Sequence, residues 1–380
     1  MSNRAVVQTG FPGEDEGSLE LVQRPIPRAS PGTVVIRLTT RSVNPNDLTN
    51  IRDNKLKSFQ DEHHPVIGSE GCGRIFEQRR IVRIPTISII QFGSKVGKGV
   101  TKFKIDQRVV PVLYWKYYLG KGEGAWQDYI EVAEEDVVAV PSTVSDESAA
   151  QYLINPWTAY GLVTEIDVPE GGYLLQTAAA STIGRQIIQL CKFWKIKTIN
   201  VVRRDDCISE LKEIGADEVI NSSVEDVVKR VKQITNGAGV YAAADAVGGV
   251  LTKDVAASVQ DGGKVFVYGT LGGWDITVSK LDLIRNVEIK YYRLTRWLEK
   301  GNNKEKVMRD VMRYLEAGVL VPNFGKKFDL EDFRAAICES ERQARGGKVM
   351  TRAKLGRKHR IHVKVCQAVR NHLVLSLHVA

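Results

Sequence analysis

The stretch 174–186, LLQTAAASTIGRQ, holds the residues best suited by type and spacing to grip a nucleotide. An apolar run enters it and a helical pattern leaves it. A strand-to-helix turn of this kind brings backbone N–H groups and a helix N-terminus to a pyrophosphate, and small side chains let the phosphates approach. Here the turn reads Ala178, Ala179, Ala180, Ser181, Thr182, Ile183 and Gly184, with one glycine where such turns often show three. A tight turn of small residues needs no ligand, so the motif alone leaves its role open. Nineteen residues past Gly184 the next strand ends in Arg203-Arg204. An acid there takes the ribose 2′-hydroxyl of NAD, whereas arginine accommodates the 2′-phosphate of NADP. Asp205 and Asp206 follow directly and leave the NAD reading open. The arginine pair favours NADP(H).

The surrounding elements must hold that turn in place. A helix is expected over 184–195, with Ile187, Leu190, Cys191 and Trp194 on one face. The strand KTINVVRR, a helix over 205–214, the strand DEVINS, a helix over 224–235 and the strand VYAAADAVGG follow. A helix near 250–260 then leads to the strand GKVFVYG. This alternation indicates a parallel sheet covered by helices on both faces. Residues 1–148 read differently: short strands, many Gly and Pro, and few helical stretches, as in a barrel-like β unit. Late in the chain, Met308, Val311, Met312 and Leu315 mark an amphipathic helix, and DLEDFRAAICES marks another.

Composition narrows the class. The 380 residues suffice for two domains, and 43% hydrophobic with 26% charged residues is ordinary for a globular protein. No apolar run reaches 18 residues, so no membrane span is expected, and without an apolar or Arg-rich leader the expected location is cytoplasmic. The net charge of +9 comes from two segments. Residues 351–380 hold seven Lys and Arg and no acid, residues 78–91 hold three and no acid, and the remainder carries −1. A near-neutral body argues against nucleic acid as a main partner. Both segments look foreign to their surroundings: GRIFE before residue 78 and FGSKVGKGVTKF after residue 91 would join naturally, and the basic tail follows GGKVM, which reads as a last strand.

Taken together, SVNPNDLTNIR, PVIGSEGCGRI, GAWQDYIEV, LINPWTAYGLV, LLQTAAASTIGRQIIQL, TINVVRR, GADEVIN and VYGTLGG carry a family resemblance. The chain resembles the zinc-independent branch of the medium-chain dehydrogenase/reductase superfamily, most of all its quinone oxidoreductase-like proteins and mitochondrial-type 2-enoyl thioester reductases. The likeness runs from about Ala5 to Met350, leaving out 78–91. It implies an α/β fold: a doubly wound Rossmann sheet over 149–291, plus a GroES-like β-rich catalytic domain over 1–148 to which 292–350 returns. A basic tail occupies 351–380, and a homodimer is expected.

The resemblance also implies residue roles. Asn155 would lie near the nicotinamide ribose. Ala180, Ser181, Thr182, Ile183 and Gly184 would form the phosphate turn, and Arg203 and Arg204 would meet the 2′-phosphate. Tyr268, Gly269 and Leu271 would approach the nicotinamide, with Tyr292, Leu294 and Lys348 completing the pocket. The cofactor is then NADPH, delivering hydride to an electron-poor carbon–carbon double bond or a quinone in a small-molecule substrate. Zinc-dependent relatives place a Cys near Asn44–Asn46 and a His in a GHE motif. Here those places read Asn44-Pro45-Asn46 and Gly68-Ser69-Glu70, no four-cysteine lobe follows DQRVV, and the five cysteines form no CxxC pair, so no metal is expected. His63 and His64 read as loop residues. Enoyl thioester reductases of this family carry a tyrosine a few residues after NPxD, and the matching place falls near Lys55. Tyr114, Tyr117 and Tyr118 offer other hydroxyls for the cleft, while Asn44 and Asp47 position substrate, close the cleft or serve a turn. An NADPH-dependent enoyl or enone reductase, a quinone oxidoreductase and an NADPH-binding protein without turnover all fit.

Overall fold

The computed structural model describes residues 2–10, 19–59, 63–76, 80–84, 87–91, 97–301, 304–342 and 346–353. The N-terminal part is built on short antiparallel strands. β1 (Asn3–Gln8) pairs with β2 (Leu19–Arg24). β3 (Thr33–Ser42), β4 (Gly71–Ile75), β7 (Arg108–Pro111), β8 (Tyr129–Ala133) and β9 (Val137–Ala139) form most of a seven-stranded sheet centred on β3. Ile36, Leu38, Val109, Trp126 and Ile130 fill its core. Between β4 and β7, β5 (Arg80–Ile84) and β6 (Ile87–Gln91) pair only with each other among the described residues. The flanks of that hairpin dock on one strand: the Phe76 N–H donates to Val35 O at 2.8 Å and the Gly97 N–H to Thr33 O at 3.0 Å.

The second half is the expected parallel sheet. β10 (Tyr173–Gln176), β11 (Lys197–Val202), β12 (Glu218–Asn221), β13 (Val240–Asp245), β14 (Val259–Val267) and β15 (Glu288–Tyr291) stand in the order β12-β11-β10-β13-β14-β15, every pair parallel. Alternation along a strand sends successive side chains to opposite faces. Leu174 therefore packs with Trp157, Ile187 and Val311 on one side, and Leu175 with Val231, Val255 and Val265 on the other. Chain order reverses between β10 and β13, and the crevice at such a reversal is where doubly wound sheets bind ligands.

Two differences from the sequence reading have physical causes. β14 starts at Val259, where a helix was expected to persist to about 260; the helix Leu251–Ser258 passes straight into the strand because Val259 pairs with Val240. The last strand, β17 (Lys348–Arg352), runs past Met350 into the segment read as tail. With β16 (Phe324–Asp329) it joins the sheet of β3, where Met350, Thr351 and Arg352 pair with Ser42, Arg41 and Thr40. Thr351 is fully buried and Arg352 pairs with Asp329 at 3.1 Å, so the fold reaches at least Ala353. The remaining tail, 354–380, lies outside the described residues.

Candidate functional site

The turn after β10 does without its missing glycines by means of alanine. Ala178 takes a left-handed backbone, φ +49°. The Cβ of an L-residue there costs roughly 1–2 kcal/mol, so the turn must be held by its neighbours. Gly184 is the place where glycine is required: a Cβ would stand 2.5 Å from Ala179 O, where the helix Thr182–Phe193 crosses the turn. Ser181 caps that helix, its Oγ accepting the Gly184 N–H at 3.1 Å. Ala180, Thr182 and Ile183 are half-buried around this cradle.

Arg203 and Arg204 leave the end of β11 exposed. The Arg204 guanidinium lies 3.4 Å from Asp206, while Arg203 makes no ion pair among the described residues. The Asp205 carboxylate turns toward the next strand and accepts the Asn221 amide at 2.8 Å. The two acids therefore do not enclose both arginines.

Around the far side of the crevice the placements divide. Asn155 is buried in the first turn of the helix Ile154–Ile166, and its Nδ2 has no hydrogen-bond partner. Tyr268, just past β14, has a buried hydroxyl equally without a partner. Gly269 permits a close approach of backbones, since a Cβ would stand 2.2 Å from Ala246 O. Leu271 is exposed. Tyr292 points into the core, its hydroxyl against Gly161, and Leu294 packs on the same cluster.

A buried polar cluster lies where the β-rich part meets the helix Ile154–Ile166. Lys348 is 2% exposed and donates from Nζ to Asn44 Oδ1 at 2.7 Å. Asn44 Nδ2 donates to Ser42 Oγ at 2.8 Å, Ser69 Oγ at 3.1 Å and Glu70 Oε1 at 2.9 Å. Glu70 Oε1 also accepts the Ser42 hydroxyl, and Oε2 accepts the N–H groups of Leu153 and Ile154, each at 2.9 Å. Asp47 is the third residue of the helix Pro45–Arg52, accepting the Asn44 N–H at 3.1 Å through Oδ2, while its buried Oδ1 has no partner. Burial pushes the Asp47 carboxyl up to about 7; the Ser69 hydroxyl and the Asn44 N–H pull it back, the Glu70 charge adds to the rise, and Lys348 opposes it.

Lys55 stands apart from this cluster, exposed in the turn after that helix. The tyrosines of LYWKYY occupy a π-helical turn, Tyr114–Tyr118, a local irregularity common at functional sites. Tyr117 donates to Asp136 at 3.1 Å, and Tyr118 is fully buried, its hydroxyl close enough to Asp47 to feel that charge. Trp115 packs on Trp157, ring centroids 5.8 Å apart, bringing the turn against the helix Ile154–Ile166. The His63 ring lies against Phe59, centroids 6.0 Å apart, and its Nε2 is 3.1 Å from Lys121 O.

Ser42, Ser69 and Glu70 carry more of this site than the sequence reading gave them, as do Thr177 and Asp245 beside the turn after β10. The signal was present: a carboxylate inside an apolar or glycine-rich run, as in PVIGSEGCG and YAAADAV, must find buried partners. The cradle at Gly184, the close approach at Gly269, the orphaned Asn155 amide and the outward arginines together fit a dinucleotide.

Comparison with known proteins agrees with this architecture. Residues 30–142 match the alcohol dehydrogenase GroES-like domain, and residues 182–309 match the family described as zinc-binding dehydrogenase. The mitochondrial enoyl-[acyl-carrier-protein] reductase of Dictyostelium discoideum is 27% identical over 328 residues, 83% of this chain and 85% of that protein. A putative NADPH:quinone reductase from Bacillus thuringiensis superposes with a TM-score of 0.76 at 25% identity, covering 93% of this chain and 99% of that one. The Etr1p complex with NADP and crotonyl-CoA shares the fold, with a TM-score of 0.75 at 19% identity over 93% of this chain and 100% of its own. With one family model on the β-rich sheet and the other on the parallel sheet, in the order in which the fold presents them, the chain belongs to the medium-chain dehydrogenase/reductase superfamily and is an oxidoreductase of the kind that acts on carbon–carbon double bonds or quinones.

Proposed function

We propose that the chain binds NADPH across the β10/β13 crevice and reduces an activated carbon–carbon double bond, in a 2-enoyl thioester or an enone, without zinc. The observation that carries the cofactor is the exposed Arg203-Arg204 pair at the end of β11. Ala180–Gly184 and the helix N-terminus hold the pyrophosphate, and the arginines hold the 2′-phosphate. Asn155 Nδ2, buried without an acceptor, donates toward the nicotinamide ribose. Tyr268, Gly269 and Leu271 flank the nicotinamide, with Tyr292 and Leu294 backing them from the core. The bound cofactor supplies the hydride, and the protein fixes geometry and excludes water.

Asn44, Asp47 and Lys348 form the floor of the cleft between the β-rich part, 1–148 with 292–350, and the parallel-sheet part, 149–291. The Lys348 ammonium already supplies a positive charge beside Asn44 and Glu70, which disfavours a dication there. Substrate is a small molecule, and the near-neutral body offers nucleic acid no dedicated surface. A homodimer is supported by Leu281 and Ile284, more than half exposed on the helix that leads into β15, the last strand of the sheet order. Among the described residues no helix is long and apolar enough to cross a membrane. Related enzymes are named mitochondrial, so cell fractionation decides between that compartment and the cytoplasm.

One observation favours a second reading, NADPH:quinone reduction. Lys55, the position matching the carbonyl-binding tyrosine of enoyl reductases, is exposed and apart from the buried cluster. NADPH oxidation assayed against crotonyl thioester, enone and quinone panels separates the two. Turnover with thioester or enone supports the first, turnover with quinone alone the second, and NADPH binding without turnover refutes both.

A further inference from the structure

Asp245 ends β13 fully buried, and its carboxylate accepts four hydrogen bonds from three segments. Oδ1 takes the Thr177 hydroxyl at 2.7 Å, the Val247 N–H at 2.9 Å and the Gly248 N–H at 3.2 Å; Oδ2 takes the Thr252 hydroxyl at 2.7 Å. Thr177 immediately precedes Ala178, the left-handed residue of the phosphate turn, and its Oγ also accepts the Ala246 N–H at 2.9 Å. The chain of contacts continues to the nicotinamide side. Val247 O accepts the Gly272 N–H at 2.7 Å, and Asp245 O accepts the Tyr268 N–H at 2.8 Å. The two loops close on each other through glycines: a Cβ at Gly249 would stand 2.6 Å from Gly272 O.

We infer that Asp245 and Thr177 are positioning residues that set the phosphate turn and the 268–272 loop in register, so that one buried carboxylate governs both ends of the cofactor groove. The physical ground is threefold. Ala178 is held in a conformation an alanine does not favour, so the turn depends on its anchors. A buried carboxylate with all its bonds made is costly to loosen, because removing one partner leaves a desolvated acceptor. And neither side chain reaches the groove as a ligand; each acts through backbone it holds. The inference rests on the NADPH reading above.

The test uses the full-length chain and three variants: Thr177→Val, which keeps the shape and removes the hydroxyl; Thr177→Ser, which restores it; and Asp245→Asn, which keeps part of the acceptor set. Affinities for NADPH and for 2′,5′-ADP, which lacks the nicotinamide half, are measured by titration calorimetry beside the melting temperature. Thr177→Val is expected to weaken NADPH roughly tenfold, to weaken 2′,5′-ADP at least threefold less, and to be rescued by Thr177→Ser. Asp245→Asn is expected to fall between Thr177→Val and the unaltered chain. Unchanged NADPH affinity in Thr177→Val, or equal losses for both ligands, overturns the coupling of the two ends. If Thr177→Val does not fold, the same comparison of ligands in Asp245→Asn decides. Failure of the unaltered chain to bind NADPH would instead overturn the cofactor reading itself.

Discussion

Asp47 offers a direct stability test of the buried cluster. Its carboxyl is raised from an ordinary 3.8 to about 7, chiefly by burial. The folded chain therefore keeps a proton that the unfolded chain releases between about pH 4 and 7. Stability contributed by the neutral carboxyl is fully present below pH 4, falls as pH rises through that window, and is lost above it. A rise of about 3 pH units corresponds to about 4 kcal/mol at pH 8. Asp47→Asn removes the ionisation while keeping an oxygen to accept the Asn44 N–H. It also places an amide N–H where Oδ1 now has no partner, a cost of about 1–3 kcal/mol. The net expectation at pH 8 is a variant more stable than the unaltered chain by about 1–3 kcal/mol, an advantage that vanishes or reverses at pH 4. Thermal or urea unfolding of both proteins at half-unit steps of pH measures this. A stability difference that does not change with pH would refute the reasoning, because it would mean that Asp47 ionises freely in the folded chain.

Replacing Arg203 and Arg204 together by Ala should weaken NADPH binding by about 1.5–3 kcal/mol per contact, less solvent losses, and leave NADH nearly unaffected. Equal affinity for the two cofactors in the unaltered chain would sink the NADP preference. Exhaustive chelation should leave activity intact, and the finding to set against this is zinc near one per chain that tracks activity. Deleting 78–91, and separately truncating after Ala353, should preserve the rise in melting temperature on adding NADPH. Loss of that rise would show the removed segment to belong to the working fold.

Most of the parallel sheet was legible because β10, β11 and β13 are short, mostly buried apolar runs separated by amphipathic helices, whereas β15, mostly exposed, carries no such pattern. The turn after β10 and the arginines that end β11 were legible from small residues at one strand end and charge at the next, and their role as a phosphate site stays a proposal. The boundary at Met350 was not, because β17 continues on register with β3, a long-range pairing that no local pattern records. The buried cluster was only partly legible. Asn44 and Asp47 were singled out from NPND, but that Lys348 reaches Asn44 across 304 residues follows from the sheet that carries β17 next to β3. Tyr292, which the resemblance implies completes the pocket, lies just past β15, and its place in the core with the hydroxyl against Gly161 is a tertiary contact that no local pattern records.

The bonds of Glu70 bear on how the molecule can move. Its carboxylate belongs to the turn before β4, yet half of its acceptor capacity is spent on the first N–H groups of the helix Ile154–Ile166. That helix packs on the parallel sheet through Trp157 and Leu162. Glu70 thus acts as a pin through the joint between the two halves. A swing that parted β4 from this helix would strip a buried carboxylate of two charge-assisted bonds at once, so the joint at Leu153 is stiff. On the proposed reading, admission of a dinucleotide then falls to an edge away from the pin, the exposed run 270–278 after β14. Breathing of the crevice is expected to be greatest there and least at residues 153 and 154, a gradient that hydrogen exchange along the chain would trace.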